Sequence, residues 1–541
     1  MSGSALSAWP QPIAPLYSVP VSALIAATPL AIVLTLMGLL RKGALFASAC
    51  GLATAAILAV GVWRMPATLA GWSLVYGFAI AAWSILWLVF NALWLYNLSV
   101  DVGSFDRLRR WIEQNASGDA CIQAVLVAFC FGALLEGSAG FGAPVAITAF
   151  LLVRLGFRPH RAVIVSLIAN TAPVAFGAVG VPIVALASVT GLDIMTLSAM
   201  VGRQLPLLSV LLPAYLAVVV GGWKGLRRTW PVAALAGSTF ALTQFMISNT
   251  WGPYATDILS AIASIVVTVA FLRFWLPRRH VASAHRQTSD SNADATKLSL
   301  RGVADAWFPW VALSVVMVVW SYFKLFSKGQ TVIAVPSLHN GIFISLYRRP
   351  YSALFTFQPL ATGTAVLATT LLTSLWFRVR LRALIKSGAS TLRQLRLPAV
   401  AVLSIVGLAF LYNYSGMVFT LGAALAAAGI VFPFISSYLG WVACFLTGSD
   451  TSSNFLFGNL QVAAAQQLHL NPVLMAGTNS SGAVAGKMIS PQNISVGVST
   501  VGLIGQEGEV LRSTFWHSVL FAALIGLVAC AQAYVLTWMV P

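Results

Sequence analysis

Charge-free apolar runs long enough to cross a bilayer recur from one end of this chain to the other, for example at residues 1–40, 43–63, 65–100, 162–192, 229–256, 397–449 and 513–541. About 20 such residues span the hydrocarbon core as a helix. Lipid offers backbone N–H and C=O groups no partner, so each run must satisfy its own, which a helix does. Charged residues make up 8% of the chain, against roughly 25% in soluble domains. The fold class predicted is an all-α polytopic membrane protein of about 12–14 transmembrane segments.

The net charge of +18 comes from 31 Lys and Arg against 13 Asp and Glu. The basic residues form no single patch, so nucleic acid is excluded as a partner; the lipid bilayer is the partner. They fall in short bridges: Arg41-Lys42, Arg107/Arg109/Arg110, Arg158/Arg161, Lys224/Arg227/Arg228, 273–301 and 378–396. Bridges of this kind mark cytoplasmic loops, and the parity of spans between them puts the N-terminus outside. The outer loop this implies, 324–350, carries Lys324, Lys328, Arg348 and Arg349, against the rule. The polar stretch 277–305 reads as a cytoplasmic linker between an N-terminal half, 1–276, and a C-terminal half, 306–541. The basic stretch 378–396 is either an amphipathic surface helix or a solvated loop. Residues 1–40 lack the basic start of a signal peptide, so the first span, near 18–40, is expected to be retained. The five cysteines lie in apolar stretches without a CxxC and read as core residues.

Two of the few acids sit where lipid should reject them. Glu136 lies in Leu134-Leu135-Glu136-Gly137-Ser138-Ala139-Gly140-Phe141-Gly142, and Asp450 in Leu446-Thr447-Gly448-Ser449-Asp450-Thr451-Ser452-Ser453-Asn454. A carboxylate at bilayer depth costs about 2.5–3.5 kcal/mol on insertion scales, and those retained there serve ion or solute pathways. The glycines and Pro144 after Glu136 predict a helix, a turn at membrane depth and a second helix, whose free N–H groups would favour an anion; tight glycine-mediated packing is the alternative.

Asn170-Thr171-Ala172-Pro173 and Thr478-Asn479-Ser480-Ser481-Gly482 interrupt later apolar runs with groups that bind a solute without carrying charge, or that satisfy freed backbone. Lys487 and Arg203 are cations in apolar surroundings, suited to a substrate carboxylate or to the buried acids; snorkelling or an interfacial position is the alternative. Arg154, Asp193 and Asp257 read as loop or interface residues. The halves look alike. Cys130-Phe131, Gly137-Ser138, Leu155 to Pro159, Asn170 and Gly177 recur as Cys444-Phe445, Gly448-Ser449, Leu468 to Pro472, Asn479 and Gly486. Repeats with matching helix breaks point to a transporter site.

The six histidines have no metal-ligand spacing, and nucleotide-binding or hydrolase motifs are absent, so neither cofactor nor metal is called for. An ion gradient would then drive transport, with Glu136 and Asp450 as proton-coupling residues. Ser138, Gly140, Asn170, Thr171, Arg203, Thr451, Ser452, Ser453, Asn454, Asn479, Ser480, Lys487, Ser490 and Gln492 are the candidate substrate-binding set. Sodium-coupled uptake of another carboxylate is a second reading. An intramembrane enzyme using Glu136 and Asp450 as an acid/base pair is a remote third.

These strings resemble the lactate permease family of bacteria over essentially the full length. The resemblance is carried by 131–147, by Asn170 to Gly177, by Val201-Gly202-Arg203-Gln204-Leu205-Pro206, by Leu446 to Asn454, by Gly486-Lys487-Met488-Ile489-Ser490-Pro491-Gln492, and by Ala533 to Met539. It implies a fold of two inverted repeats with re-entrant helical hairpins, and proton-linked import of L-lactate, D-lactate and glycolate across a bacterial inner membrane, with a small carboxylate and protons as partners. The segment 277–350 departs from the family in detail, and Ser138 stands where Ala is common, which leaves substrate preference open.

Overall fold

The computed structural model describes residues 8–40, 42–115, 118–138, 140, 143–275, 298–345, 348–503 and 505–541. The helices are α1 (Val19–Met37), α2 (Ala44–Gly61), α3 (Ala67–Asp101), α4 (Ser104–Asn115) and α5 (Ala120–Ser138). There follow α6 (Ala143–Arg154), α7 (Pro159–Ala169), α8 (Gly177–Thr190), α9 (Ile194–Thr250) and α10 (Thr256–Trp275). After the linker come α11 (Leu300–Tyr322), α12 (Thr362–Trp376), α13 (Leu381–Ser415) and α14 (Met417–Leu425). The chain ends with α15 (Phe432–Thr447), α16 (Asp450–Gln467), α17 (Pro472–Lys487), α18 (Pro491–Thr500) and α19 (Glu507–Tyr534).

Ten helices among the described residues are long and apolar enough to cross a membrane, and eleven if the pair around the break at 170–173, bent by 66°, counts as one. The long α9 adds another. Gly222 takes φ 62°, ψ −166°, outside the helical region. Ser198 Oγ then donates to the Ser248 carbonyl at 2.9 Å, and Ser209 Oγ to Gln244 Oε1 at 2.9 Å. Those pairings run antiparallel, so α9 is two spans folded back at a glycine that alone adopts such a turn cheaply. The all-α membrane body is as expected.

Short strands lie outside that body. β1 (Trp9–Pro10) pairs parallel with β3 (Ile342–Ile344), which pairs antiparallel with β4 (Arg349–Pro350); β2 (Thr331–Ala334) pairs antiparallel with β5 (Leu354–Phe357). The N-terminal segment and the loop after α11 therefore share one face, as the span parity requires. Most of the linker, 277–297, lies outside the described residues. Its final residues are not loop: Ser299 caps α11 by accepting from Gly302 N–H at 3.1 Å, so helix begins at Leu300. The basic stretch 378–396 is helical from Leu381 onward. It is the amphipathic start of α13, with Leu384, Ser387, Gly388, Thr391 and Leu395 buried, and Ser387 Oγ donates to Asp101 Oδ2 at 2.8 Å.

One series of elements occurs twice. α5, a break, α6, then α7, a break, α8 and the first arm of α9 match α15, a break, α16, then α17, a break, α18 and α19. Pro159 and Pro472 both open their helices at the first turn. One expected correspondence fails. Asn170 stands at the end of α7, whereas Asn479 is mid-helix in α17, whose break comes after Lys487. The polar run 478–482 stays helical because its side chains find partners on neighbouring helices: Thr478 accepts from Gln204 Nε2 at 2.9 Å, and Asn479 Oδ1 accepts from Gln461 Nε2 at 2.6 Å.

α15 and α17 pack backbone to backbone. A Cβ on Gly440, Gly482 or Gly486 would lie 2.0, 2.1 or 2.2 Å from the carbonyl oxygens of Asn479, Ser437 and Trp441. Small residues let helices approach this closely in lipid. Gly482→Ala is expected to cost about 1–3 kcal/mol and to lower the apparent Tm by several degrees. A thermal melt of the detergent-solubilised variant checks this; an unchanged Tm would mean the helices separate without cost.

Candidate functional site

The two series bring their breaks together at one chamber. Glu136, at the end of α5, is 3% exposed, and its Oε1 lies 2.5 Å from Lys487 Nζ, which closes α17. A Cβ on Gly177 would lie 2.7 Å from Glu136 Oε1, so glycine is what leaves room for the carboxylate. Beyond it Ala178, Val179 and Gly180 take φ of 45°, 60° and 79°. Left-handed Ala and Val are strained conformations of the kind concentrated at functional sites.

Asp450 stands in the first turn of α16, behind the cap Ser449, whose Oγ accepts from Ser452 N–H at 3.3 Å. A carboxylate is favoured at that end of a helix. Ser480 Oγ donates to Asp450 Oδ2 at 2.8 Å. The bond belongs to a buried ladder: Gln461 Nε2 donates to Asn479 Oδ1 at 2.6 Å, Asn479 Nδ2 to Asn454 Oδ1 at 2.9 Å, and Asn454 Nδ2 to Ser480 Oγ at 3.2 Å. Ser436 closes its far end by donating to Gln461.

The space between, about 70 Å³, is lined by Glu136, Gly140, Gly177, Gly448, Ser449, Asp450, Thr451, Lys487, Gln492 and Asn493 among others. The N-terminal ends of α16 and α18 both open on it, and such ends attract anions. A second small space joins Asn170, Thr171, Lys487 and Asn493. A wider cavity of about 610 Å³, lined by Lys42, Thr447, Gln492, Ser495 and Glu507, meets the chamber at Gln492.

Several buried polar atoms here have no protein partner: Glu136 Oε2, Asp450 Oδ1, both side-chain amide atoms of Asn170, Thr171 Oγ1 and Ser490 Oγ. Buried polar atoms are nearly always hydrogen-bonded. Orphans clustered around one cation make a site able to take a small polar acid: a carboxylate for Lys487, hydroxyl partners in Asn170 and Thr171.

Among the sequence candidates, Glu136, Gly140, Asp450, Thr451, Lys487 and Gln492 meet at the chamber, with Asn170, Thr171 and Ser490 bordering it. Asn454, Asn479 and Ser480 act behind Asp450. Ser138 Oγ donates to the Leu134 carbonyl at 2.7 Å and Ser453 Oγ to the Gly440 carbonyl at 3.1 Å, both bracing backbone, while half-buried Ser452 offers its N–H to the cap. Arg203 is not brought to the chamber. Its Nε donates to Asn249 Oδ1 at 2.9 Å and its Nη1 to the Met539 carbonyl at 3.0 Å, at an apolar groove beside Leu207 and Leu211. Asp257 is no loop residue. It is buried in the first turn of α10 against Gly137, with neither carboxylate oxygen bonded. It stands just after Gly252-Pro253, at the edge of an apolar run, which gives it the look of a loop. The signal that could have found it is its own rarity, a single acid between the charge-free runs 229–256 and 258–272. Asn493 and Gln461, too, went unmarked.

Known proteins match this chain along nearly its whole length. The L-lactate permease family matches residues 22–536. The glycolate permease GlcA of Escherichia coli (strain K12) is 41% identical, covering 98% of this chain and 99% of that protein. An L-lactate permease of Salmonella typhimurium is 40% identical over 99% of this chain and 100% of its own length, and one of Bacillus subtilis 38% identical over 96% and 97%. These relatives are permeases, not enzymes, so the acid/base enzyme reading falls away. A helical body with one cation among paired helix breaks, matched along nearly its whole length, belongs to the L-lactate permease family.

Proposed function

We propose that this protein imports small 2-hydroxy monocarboxylates, L-lactate, D-lactate and glycolate, by proton symport. It is a multi-pass protein of the bacterial inner (cytoplasmic) membrane, and its named relatives carry lactate or glycolate. The observation that carries the coupling is the Lys487–Glu136 pair, 2.5 Å apart and almost closed to solvent. One cation there has two claimants. A substrate carboxylate reaches Lys487 only if Glu136 lets go, and Glu136 lets go without leaving a bare buried charge only by taking a proton. Substrate anion and proton therefore travel together.

Asp450 is the second proton-coupling acid, held by Ser480 and the amide ladder. Asn170, Thr171, Thr451, Ser490 and Gln492 bind the hydroxyl or line the path, and the two halves, 1–276 and 306–541, contribute opposed hairpins as inverted repeats around the site. Arg203 has no part in binding.

Proteoliposomes holding the purified protein are expected to accumulate labelled L-lactate when the outside is made acidic, with glycolate and D-lactate competing and acetate, which lacks the hydroxyl, competing poorly. Replacing Na⁺ by choline at fixed pH is expected to change nothing. Uptake indifferent to the pH gradient would remove the symport, and uptake lost in choline would give the coupling to sodium.

A further inference from the structure

Asp257 is a third buried acid, packed against the residue after Glu136, and the chamber does not account for it. It is 1% exposed, and neither Oδ1 nor Oδ2 has a hydrogen-bond partner. It lines none of the spaces around Lys487 described above. Its place is behind the tip of α5. A Cβ on Gly137 would lie 2.7 Å from Asp257 Cβ and 3.1 Å from Ile258 N, so the first turn of α10 rests directly on the residue after Glu136. A glycine at 137 is what allows that approach.

The charges acting on Asp257 are Glu136 from α5 and Lys487 from α17. Among the described residues, the other charged groups on α10 and on the helices packed on it are exposed or engaged elsewhere, with Lys224, Arg227, Arg273 and Arg301 exposed. α8 carries no titratable side chain. Cys130 of α5 meets Ser264, two turns further along. On α9, Arg203 is engaged by Asn249 and Met539, and Arg228 by Asp119. On α11, Asp305 accepts from Trp376. A purely structural acid would be expected to hydrogen-bond something, and this one is bonded to nothing.

We infer that Asp257 is a second proton station for Glu136, apart from Asp450, which holds the proton that Glu136 takes when a substrate carboxylate claims Lys487. This rests on the symport reading above. The step balances as an exchange: the Asp257 carboxyl gives up its proton, the Glu136 carboxylate gains it, and the Glu136–Lys487 pair is replaced by a substrate–Lys487 pair. Asp257 then regains a proton from the side of higher proton concentration when the carrier's motion opens a path to it. Lys487 keeps its three protons throughout.

The test compares two assays on Asp257→Asn in proteoliposomes. Counterflow of lactate at equal pH exchanges loaded carriers and needs no proton release; net accumulation under a pH gradient needs it every cycle. Counterflow is expected to stay within about twofold of the parent, while accumulation at a one-unit gradient falls from about tenfold to none. Asp257→Glu, which restores the carboxyl, is expected to restore part of the accumulation. An Asp257→Asn protein that accumulates normally overturns the inference. So does parallel loss of counterflow and accumulation in both variants, which makes the residue structural. Glu136→Gln separates the two claims: if it abolishes accumulation while Asp257→Asn does not, only the second station fails; if neither abolishes it, the symport reading itself fails.

Discussion

Lys487→Ala is expected to abolish lactate uptake and also to destabilise the protein, through two separable effects of one lost ammonium group. The stability loss comes from Glu136, whose Oε2 already has no partner and whose Oε1 then loses Nζ at 2.5 Å. Removing one member of a buried pair costs about 3–5 kcal/mol, because the other is left uncompensated. The transport loss comes from the substrate, whose carboxylate loses the one basic side chain among the chamber-lining residues. Losing a buried charged partner costs about 2–5 kcal/mol, or roughly thirtyfold to several thousandfold in affinity. A double variant distinguishes the effects. Lys487→Ala with Glu136→Gln is expected to regain most of the Tm, since neither member of the pair is then left charged and alone, and none of the uptake. Thermal melts and vesicle uptake on the three proteins measure this. Recovery of uptake along with stability would mean that Lys487 only balances Glu136 and never meets the substrate.

Much of this site was legible because a bilayer constrains a sequence so strongly. Glu136 and Asp450 stood out as acids among apolar neighbours, and glycines beside them announced the breaks. Both acids do meet at one chamber. What the chain could not disclose was partnership. Lys487 and Arg203 looked equally suited to a carboxylate, and Lys487 is separated from Glu136 by 351 positions. Only the convergence of the two hairpins chooses between them. Asp257 was hidden for the same reason: its burial is made by Gly137, a residue on another helix with no side chain to advertise the contact. The polar run 478–482 misled in the opposite direction. Hydroxyls and amides in an apolar run read as a break, but α16 and the first arm of α9 supply their partners, and the helix continues. The short strands went unforeseen because β1 and β3 come from segments more than three hundred residues apart.

Glu136→Gln is expected to uncouple transport rather than stop it. The amide keeps the shape of the carboxyl and removes its charge, so Lys487 no longer has a resident anion to release before a substrate binds. Binding is then no weaker than in the parent, and counterflow persists. Accumulation is another matter. With one proton per substrate anion, a pH difference of one unit supplies about 1.4 kcal/mol and supports up to about a tenfold gradient. A glutamine cannot carry that proton, so the variant is expected to equilibrate lactate without concentrating it, and the steep dependence of uptake on external pH should flatten. Unlike Lys487→Ala, this change strands no negative charge, though it leaves a buried ammonium whose cost Asp257 and Asp450 can offset if either ionises; the protein should therefore remain foldable. Parallel measurement of counterflow and pH-driven uptake decides the matter. A variant that still concentrates lactate tenfold would show that the coupling proton rides elsewhere, and the competition for Lys487 would no longer explain why acid and anion move together.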